Sequence, residues 1–230
     1  MPCDLLVFAP HPDDAEIGAG GTIVKAVHAG RACVVVDMSK GEKSANGTPD
    51  IRMAEARAAA EVMGLSAREN LALPDTRVRP TREAVELAVE AIRRWQPTAV
   101  LMPHPADDHP DHSGTAAIVK EAWFLAGLAG VGGAYKPWKA PRAYYYFINA
   151  VEQAQFYVDI TEEFDLKMQA IMCHRSQFDR EAGGLETDLN NGEFLRLLQS
   201  RDAMSGAQIH TRYAEGFVSL TPLMLPGLWG

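Results

Sequence analysis

Two short clusters of histidine and aspartate each follow an apolar run, and these residue types in this pattern indicate a metal centre. His11-Pro12-Asp13-Asp14 comes directly after the run 5–9, and His109-Pro110-Asp111-His112 follows the run 99–102. An open zinc site takes three protein ligands and leaves one position for water. Histidine and carboxylate at the ends of two strands can supply such a site, so the pattern predicts a zinc-dependent hydrolase.

We expect the ligands to be His11, Asp14 and His112, which are two imidazoles and one carboxylate. Zinc lowers the pKa of a bound water to about 7, and a free carboxylate nearby can then act as a general base. Asp13 suits that role because it adjoins a ligand. His109 lies one helical turn before His112, where as an imidazolium it could stabilise an oxyanion or protonate a leaving amine. Iron(II) would fit the same ligands.

Each cluster also has a structural interpretation. A His-Pro pair is commonly a turn, and Asp14 or Asp111 could cap the helix that follows. Asp111 could also orient one of the histidines. The metal interpretation is favoured because two such clusters each close a strand-like run.

A glycine-rich segment, 18–21, suggests a dinucleotide site at first sight. Its spacing is not G-x-G-x-x-G, and the turn before it holds two carboxylates that would repel a pyrophosphate. Close packing of a helix against a sheet is the better interpretation.

Strand-like and helix-like segments alternate through the first 128 residues, which predicts an α/β fold with a Rossmann-like, mostly parallel sheet and helices on both faces. In such a sheet, sites form beyond the carboxyl ends of the strands, where both clusters fall. The C-terminal third is expected to cap the sheet, and residues 1–230 to form a single domain. Strands are predicted at 5–9, 33–36, 99–102, 144–147 and 156–158, and helices at 16–29, 52–63, 82–95, 115–128 and 162–173.

Composition excludes several classes of protein. The net charge of −8 argues against a nucleic-acid or membrane-surface partner, which would need a basic patch. No run of about 18 apolar residues is present, so we expect no membrane span. The first residues lack the basic and apolar regions of a secretory signal. Three widely spaced cysteines, Cys3, Cys33 and Cys173, indicate reduced thiols, and we expect a cytoplasmic protein.

The residues around both clusters resemble the LmbE-like (PIG-L type) zinc deacetylases, and the resemblance covers most of the chain. It implies removal of an acetyl group from an N-acetylglucosamine-containing molecule. It also implies zinc at His11, Asp14 and His112, Asp13 as the general base, and His109 as the group that stabilises the tetrahedral intermediate. Relatives are often hexamers, so a homo-oligomer is implied as well. The resemblance is carried by 9–18, 20–22 and 109–112.

Further segments resemble the bacillithiol-biosynthesis branch, which deacetylates N-acetylglucosaminyl-malate. A malate group needs cations for two carboxylates, and arginine pairs with a carboxylate bidentately. Arg52, which matches the family's substrate-contact arginine, and Arg142 are the candidates. Arg52 could instead pair with Glu55 on the helix surface, and Arg142 could be surface charge. The segments that carry this resemblance are 41–42, 51–52 with Glu55, 68–71 with 73–75, 176–178 and 213–217.

Two loops depart from the pattern of that branch. One is 44–47, within the loop 39–49. The other is 180–190, within the segment 176–191, and we expect that segment to be partly mobile. Loops of this kind could reshape the mouth of a pocket without touching the metal. Alternative substrates are therefore a chitin fragment, a glycopeptide or an inositol conjugate. A non-catalytic metal- or nucleotide-binding protein on a Rossmann-like scaffold is a further alternative, but it would need neither Asp13 nor His109.

Overall fold

The apolar run at residues 5–9 forms an inner strand of a seven-stranded sheet and is buried because helices cover both faces. The computed structural model describes residues 2–149, 153–182 and 184–223. The strands in chain order are β1 Leu5–Ala9, β2 Cys33–Ser39, β3 Ala67–Leu73, β4 Ala99–Pro103, β5 Arg142–Tyr146, β6 Phe156–Asp159 and β7 Ala214–Ser219.

The strand order is β3-β2-β1-β4-β5-β7-β6. The first five of these strands are parallel, and β7 pairs antiparallel with both β5 and β6. The predicted α/β fold with a mostly parallel sheet is confirmed. The order reverses between β1 and β4, and in sheets of this kind ligands bind outside the carboxyl ends of the strands at such a switch point.

The helices divide between the two faces. On one face α3 and α4 pack over the sheet, and on the other α1, α2, α5 and α7 do so. No helix among the described residues combines the length and the apolar character needed to cross a bilayer. The helices are α1 Asp14–His28, α2 Pro49–Met63, α3 Arg82–Trp95, α4 Pro110–Leu125, α5 Phe164–Met172, α6 Arg175–Phe178 and α7 Glu193–Gln208.

Some elements differ from the sequence prediction. Helix α1 begins two residues and helix α4 five residues earlier than expected, so each histidine-aspartate cluster reaches into the first turn of its helix. Strands β3 and β7 and helix α7 were not predicted. The segment 176–191 contains the end of α6 and a short 3₁₀ turn at Arg180–Ala182; Gly183 lies outside the described residues.

A buried ion network holds the C-terminal third against the rest of the chain. Lys167 on α5 is fully buried, and its Nζ donates to Asp202 of α7 at 2.6 Å and to Glu215 of β7 at 2.8 Å. Glu215 also accepts from the backbone N–H groups of Gly21 and Thr22 on α1. Because removing one partner would leave a buried charge unpaired, this network fixes α7 beside the sheet. The C-terminal third thus extends the sheet as well as covering one face.

Candidate active site

The two histidine-aspartate clusters meet at the carboxyl ends of β1 and β4, which are neighbours in the sheet. The first cluster forms the turn between β1 and α1, and the second lies at the start of α4. Together they line a pocket of about 270 Å³. Five predicted site residues from these clusters lie in this pocket, namely His11, Asp13, Asp14, His109 and His112.

His11, Asp14 and His112 place one ligand atom each within 4.8 Å of one another. Asp14 Oδ2 lies 3.0 Å from His11 Nδ1 and 3.4 Å from His112 Nε2, and it accepts a hydrogen bond from the backbone N–H of His11. Burial alone would raise the pKa of Asp14, but the charges and hydrogen bonds of the two histidines hold it well below its ordinary value. The carboxylate is therefore ionised, as a metal ligand must be.

A second layer of carboxylates orients the two imidazoles. His11 Nε2 lies 3.2 Å from Asp75 Oδ1 and 3.3 Å from Asp111 Oδ2, and His112 Nδ1 lies 2.9 Å from Asp107 Oδ1. Burial opposes a charge on His112, but Asp14 and Asp107 raise its pKa to about 9. Carboxylates behind ligating histidines set the ring orientation and increase ligand basicity.

His11, His109 and Asp111 form a second group with metal-ligand spacing. Asp111 is, however, already committed to holding the chain after β3. It accepts from the backbone N–H of Thr76 at 2.7 Å and from that of Val78 at 3.1 Å. Asp14 is therefore the better candidate for the carboxylate ligand, and Asp111 lies where it can orient His11.

The residues present fit a divalent metal. Two imidazole nitrogens and one carboxylate oxygen converge, each histidine has a carboxylate behind it, and three protein ligands leave coordination positions open. This donor set matches hydrolytic zinc, and a set of two histidines and one carboxylate also matches iron(II).

Asp13 lies beside these ligands and is held by Arg52 of α2. Asp13 is 4% exposed, and its Oδ2 accepts from Arg52 Nη2 at 3.1 Å. Arg52 Nη1 also donates to the carbonyl of Gly41 at 3.3 Å. Glu55, the alternative partner considered for Arg52, instead accepts hydrogen bonds from the backbone N–H and the hydroxyl of Ser176. Arg52 is thus part of the pocket and contacts the predicted base directly.

Gly41 is constrained by this arrangement. Its φ is +65°, and a Cβ atom there would lie 1.8 Å from Arg52 Nη1. A side chain at position 41 would displace the guanidinium that holds Asp13.

His109 differs from the sequence prediction in its protonation. It is the N-cap of α4, and its Nδ1 accepts from the backbone N–H of Asp111 at 3.2 Å. A backbone N–H can only donate, so Nδ1 carries no proton and the ring is neutral with its proton on Nε2. Burial and the charges of His112 and His11 lower the pKa of His109 in the same direction. The expected imidazolium is therefore corrected to a neutral N–H donor.

Arg142 does not join the site. It is exposed at the first position of β5 and pairs in register with Ala99, the first residue of β4. The histidine clusters follow the carboxyl ends of parallel strands, whereas Arg142 lies at their amino ends. Arg142 does not line this pocket, and its exposed position favours the alternative interpretation as surface charge.

Sequence reasoning missed several residues that line the pocket or contact the histidines that do. Asp75 follows β3, which was not predicted, and Asp107 precedes the second cluster without belonging to it. A carboxylate just beyond each strand end was the signal that could have found them. Lys43 and Gln177 also line the pocket, from segments expected to be loops.

The two departing loops bind each other and form one wall of the pocket. Asn46, 6% exposed, donates to the carbonyl of Leu185 and accepts from its backbone N–H, both at 2.8 Å. Gln177 donates to the carbonyl of Asn46 and accepts from the hydroxyl of Ser44. We call this set of contacts, centred on Asn46 and Leu185, the loop clamp. It joins segments far apart in the sequence into one surface.

Comparisons with known proteins agree with this geometry. The family model described as "PIG-L: GlcNAc-PI de-N-acetylase" matches residues 6–123. The chain is 30% identical over 192 residues to diacetylchitobiose deacetylase of Thermococcus kodakarensis, covering 77% of this chain and 71% of the relative. It is also 30% identical over 189 residues to 4-oxalmesaconate hydratase of Pseudomonas putida, covering 75% and 73%.

A solved structure extends the likeness along almost the whole chain. The conserved protein TT1542 from Thermus thermophilus superposes with a TM-score of 0.88 at 33% identity, covering 99% of each chain. The family match spans both histidine-aspartate clusters, and the fold match includes the elements that bring them together. This chain is therefore an enzyme that belongs to the PIG-L family.

Proposed function

We propose that this enzyme removes the N-acetyl group from an N-acetylglucosamine conjugate, with zinc as its metal; iron(II) would fit the same ligands. The observation that carries the proposal is the convergence in one pocket of His11, Asp14 and His112 with an ionisable base, Asp13, and an N–H donor, His109. The diacetylchitobiose deacetylase relative supports an acetylamino sugar as substrate.

A divalent metal held by His11, Asp14 and His112 would activate a water and polarise the acetyl carbonyl. Asp13 takes a proton from the attacking water and passes it to the amine nitrogen as the carbon–nitrogen bond breaks. Arg52 holds the Asp13 carboxylate in place through the 3.1 Å contact. The products are acetate and the free amine.

His109 supplies a hydrogen-bond donor for the carbonyl oxygen as negative charge develops there. Because its Nδ1 is occupied by a backbone N–H, only Nε2–H is available for this role. A neutral donor fixed before the reaction needs no reorganisation when the charge appears.

For the group attached to the sugar, the sequence predicts malate, as in bacillithiol biosynthesis. Of the two arginines expected to meet its carboxylates, the pocket holds Arg52, and Lys43 adds a second cation. The malate conjugate, a cytoplasmic location and a homo-oligomer stay predictions.

The hydratase relative supplies a second candidate function, the addition of water to a carbon–carbon double bond. Both reactions start from an activated water and a base, so the pocket alone does not separate them. Release of acetate does, because hydration leaves no second product.

The test is to measure amine and acetate release from N-acetylglucosaminyl-malate and from free N-acetylglucosamine, with and without a chelator. We expect chelator-sensitive release from at least one of them, with the malate compound strongly preferred if the predicted branch is correct. Release of neither product from protein that carries one metal per chain would overturn the proposed substrate class. Hydration of 4-oxalmesaconate by that protein would establish the alternative.

A further inference from the structure

We propose that a groove beside α7 is the subsite for the group attached to the sugar, and that it takes an uncharged ring with an apolar face. The inference rests on the proposed function, since it names the substrate class of the same site. The groove, here called the α7 groove, has a volume of about 400 Å³. Its apolar lining consists of Ile148, Leu189, Phe194, Leu197 and Leu198.

The α7 groove adjoins the catalytic pocket. Ile148, Asn149, Leu189 and Phe194 line both, so a group attached to a sugar over the metal ligands is within reach of the groove. A pocket of about 270 Å³ lies at the low end of the usual size for a small-molecule site, so a conjugate larger than one sugar ring needs this additional space.

The apolar lining includes one well-exposed side chain, Leu197. Phe194 and Leu197 are three positions apart on α7 and so share one helix face. Leu197 is 62% exposed, and the Phe194 ring is held from behind by Phe178 at a centroid distance of 6.1 Å. When a ligand covers an exposed leucine and a neighbouring aromatic ring with apolar atoms, the burial of apolar surface favours binding.

The charges of the α7 groove disfavour an anionic ligand. Among its described residues the cation is Arg201, whose donors are already used: Nη1 and Nη2 bind the carbonyls of Phe147, Ile148 and Ile17, and Nε binds Asp202. Asp188 lies exposed in the lining and carries a negative charge. An uncharged aromatic or sugar ring therefore fits this surface better than the malate predicted from the sequence.

The test compares kcat/KM of the full-length, metal-loaded enzyme on four substrates that differ in the attached group. They are methyl N-acetylglucosaminide, phenyl N-acetylglucosaminide, diacetylchitobiose and N-acetylglucosaminyl-malate. We expect the phenyl or the chitobiose substrate to exceed the methyl compound by about tenfold, as apolar contacts in a pocket allow, and to exceed the malate compound as well. The phenyl and chitobiose arms distinguish an aryl group from a second sugar.

Leu197→Asp should lower the phenyl-to-methyl ratio at least fivefold, mainly through KM, because it places a charge against the ring. Leu87→Asp is the matched control, since Leu87 is a surface leucine, 41% exposed, on α3 at the other face of the sheet. Equal ratios in the two variants, no preference for a ring in the wild type, or a preference for malate would overturn the proposal.

Two further readouts separate the remaining outcomes. If Leu197→Asp changes the sedimentation coefficient and leaves the ratio unchanged, this face joins copies of the chain and the subsite is refuted. Calorimetric measurement of the binding of the phenyl and methyl compounds tests the subsite even if the enzyme turns over neither of them. Tighter phenyl binding without any turnover retains the subsite and rejects the deacetylase, and equal binding rejects the subsite.

Discussion

The candidate metal centre and the wall beside it are built in different ways. The centre takes its groups from two segments, 11–14 and 109–112, that follow neighbouring strands, and it depends on the identity of each side chain. The wall joins residues 44–46 to Gln177 and Leu185, largely through hydrogen bonds to main-chain atoms, and it continues along α7. The family model matches 6–123, which contains the centre and ends before α7. The candidate metal ligands thus lie in short local segments of the chain, whereas the wall depends on contacts between segments far apart in the sequence.

The largest effect is expected from removing a proposed metal ligand. His112→Ala should lose metal and activity together, because three protein ligands become two. Metal content after dialysis and turnover are the measurements. Full zinc occupancy in this variant would show that His112 is not an essential ligand.

Replacing the base should separate chemistry from metal binding. Asp13→Asn should lower kcat by about 10²–10⁴-fold and leave the metal bound, because the amide cannot accept the proton. Single-turnover rates and metal analysis on the same preparation check this. Unchanged turnover would remove Asp13 from the mechanism.

The orienting layer should have a smaller effect. Asp107→Asn should weaken metal affinity by about 10–100-fold, because Asp107 lies 2.9 Å from His112 Nδ1. The neighbouring Asp108 is exposed, so Asp108→Asn is the matched control. A competitive chelator titration measures both, and equal affinities would contradict the orienting role.

A change in the wall should act on substrate binding. Asn46→Ala removes both contacts to Leu185. Because leaving a buried hydrogen-bonding group without its partner costs about 1–3 kcal/mol, the wall should be held less firmly where the substrate binds. We therefore expect KM to rise about five- to tenfold while kcat falls by less than about twofold. Lys40→Ala, in the same loop and exposed, is the control. A fall in kcat equal to that in kcat/KM would place the loop clamp in the chemical step.

The smallest effect concerns thiol reactivity in the two halves of the chain. Burial raises the pKa of the Cys3 and Cys33 thiols to about 12, so at pH 8 both stay protonated and unreactive. Cys173 in the C-terminal third is partly exposed. Native protein should react slowly with one equivalent of a disulfide reagent and with three after unfolding. Fast reaction of all three without denaturant would contradict the buried positions.

Local signals account for what the sequence predicted correctly. Helix α3 begins and ends where expected because Thr81 caps it and its apolar face is regular. Strand β3 was missed because it lies at the edge of the sheet and has no continuous apolar run. The metal ligands could be proposed because each cluster adjoins a strand whose apolar run is visible in the sequence.

What sequence could not supply was direction and pairing. Arg142 is the first residue of a real strand, but only the parallel register of β5 with β4 shows that it lies at the amino end, away from the histidine clusters. The neutral state of His109 depends on one backbone N–H at a helix start. The contact between Asn46 and Leu185 spans 139 positions and involves main-chain atoms, which no residue pattern reports.

The glycine at position 41 has a consequence for how this enzyme can vary over evolution. Every substitution there would drive a carbon atom into the guanidinium of Arg52 and would strain a backbone with positive φ. With Asp13 as the proposed base, selection on that base extends to a residue that has no side chain and does no chemistry. In a scan of all single substitutions, position 41 should tolerate as little change as Asp13. A substitution at position 41 could become neutral only after Asp13 had acquired a partner other than Arg52.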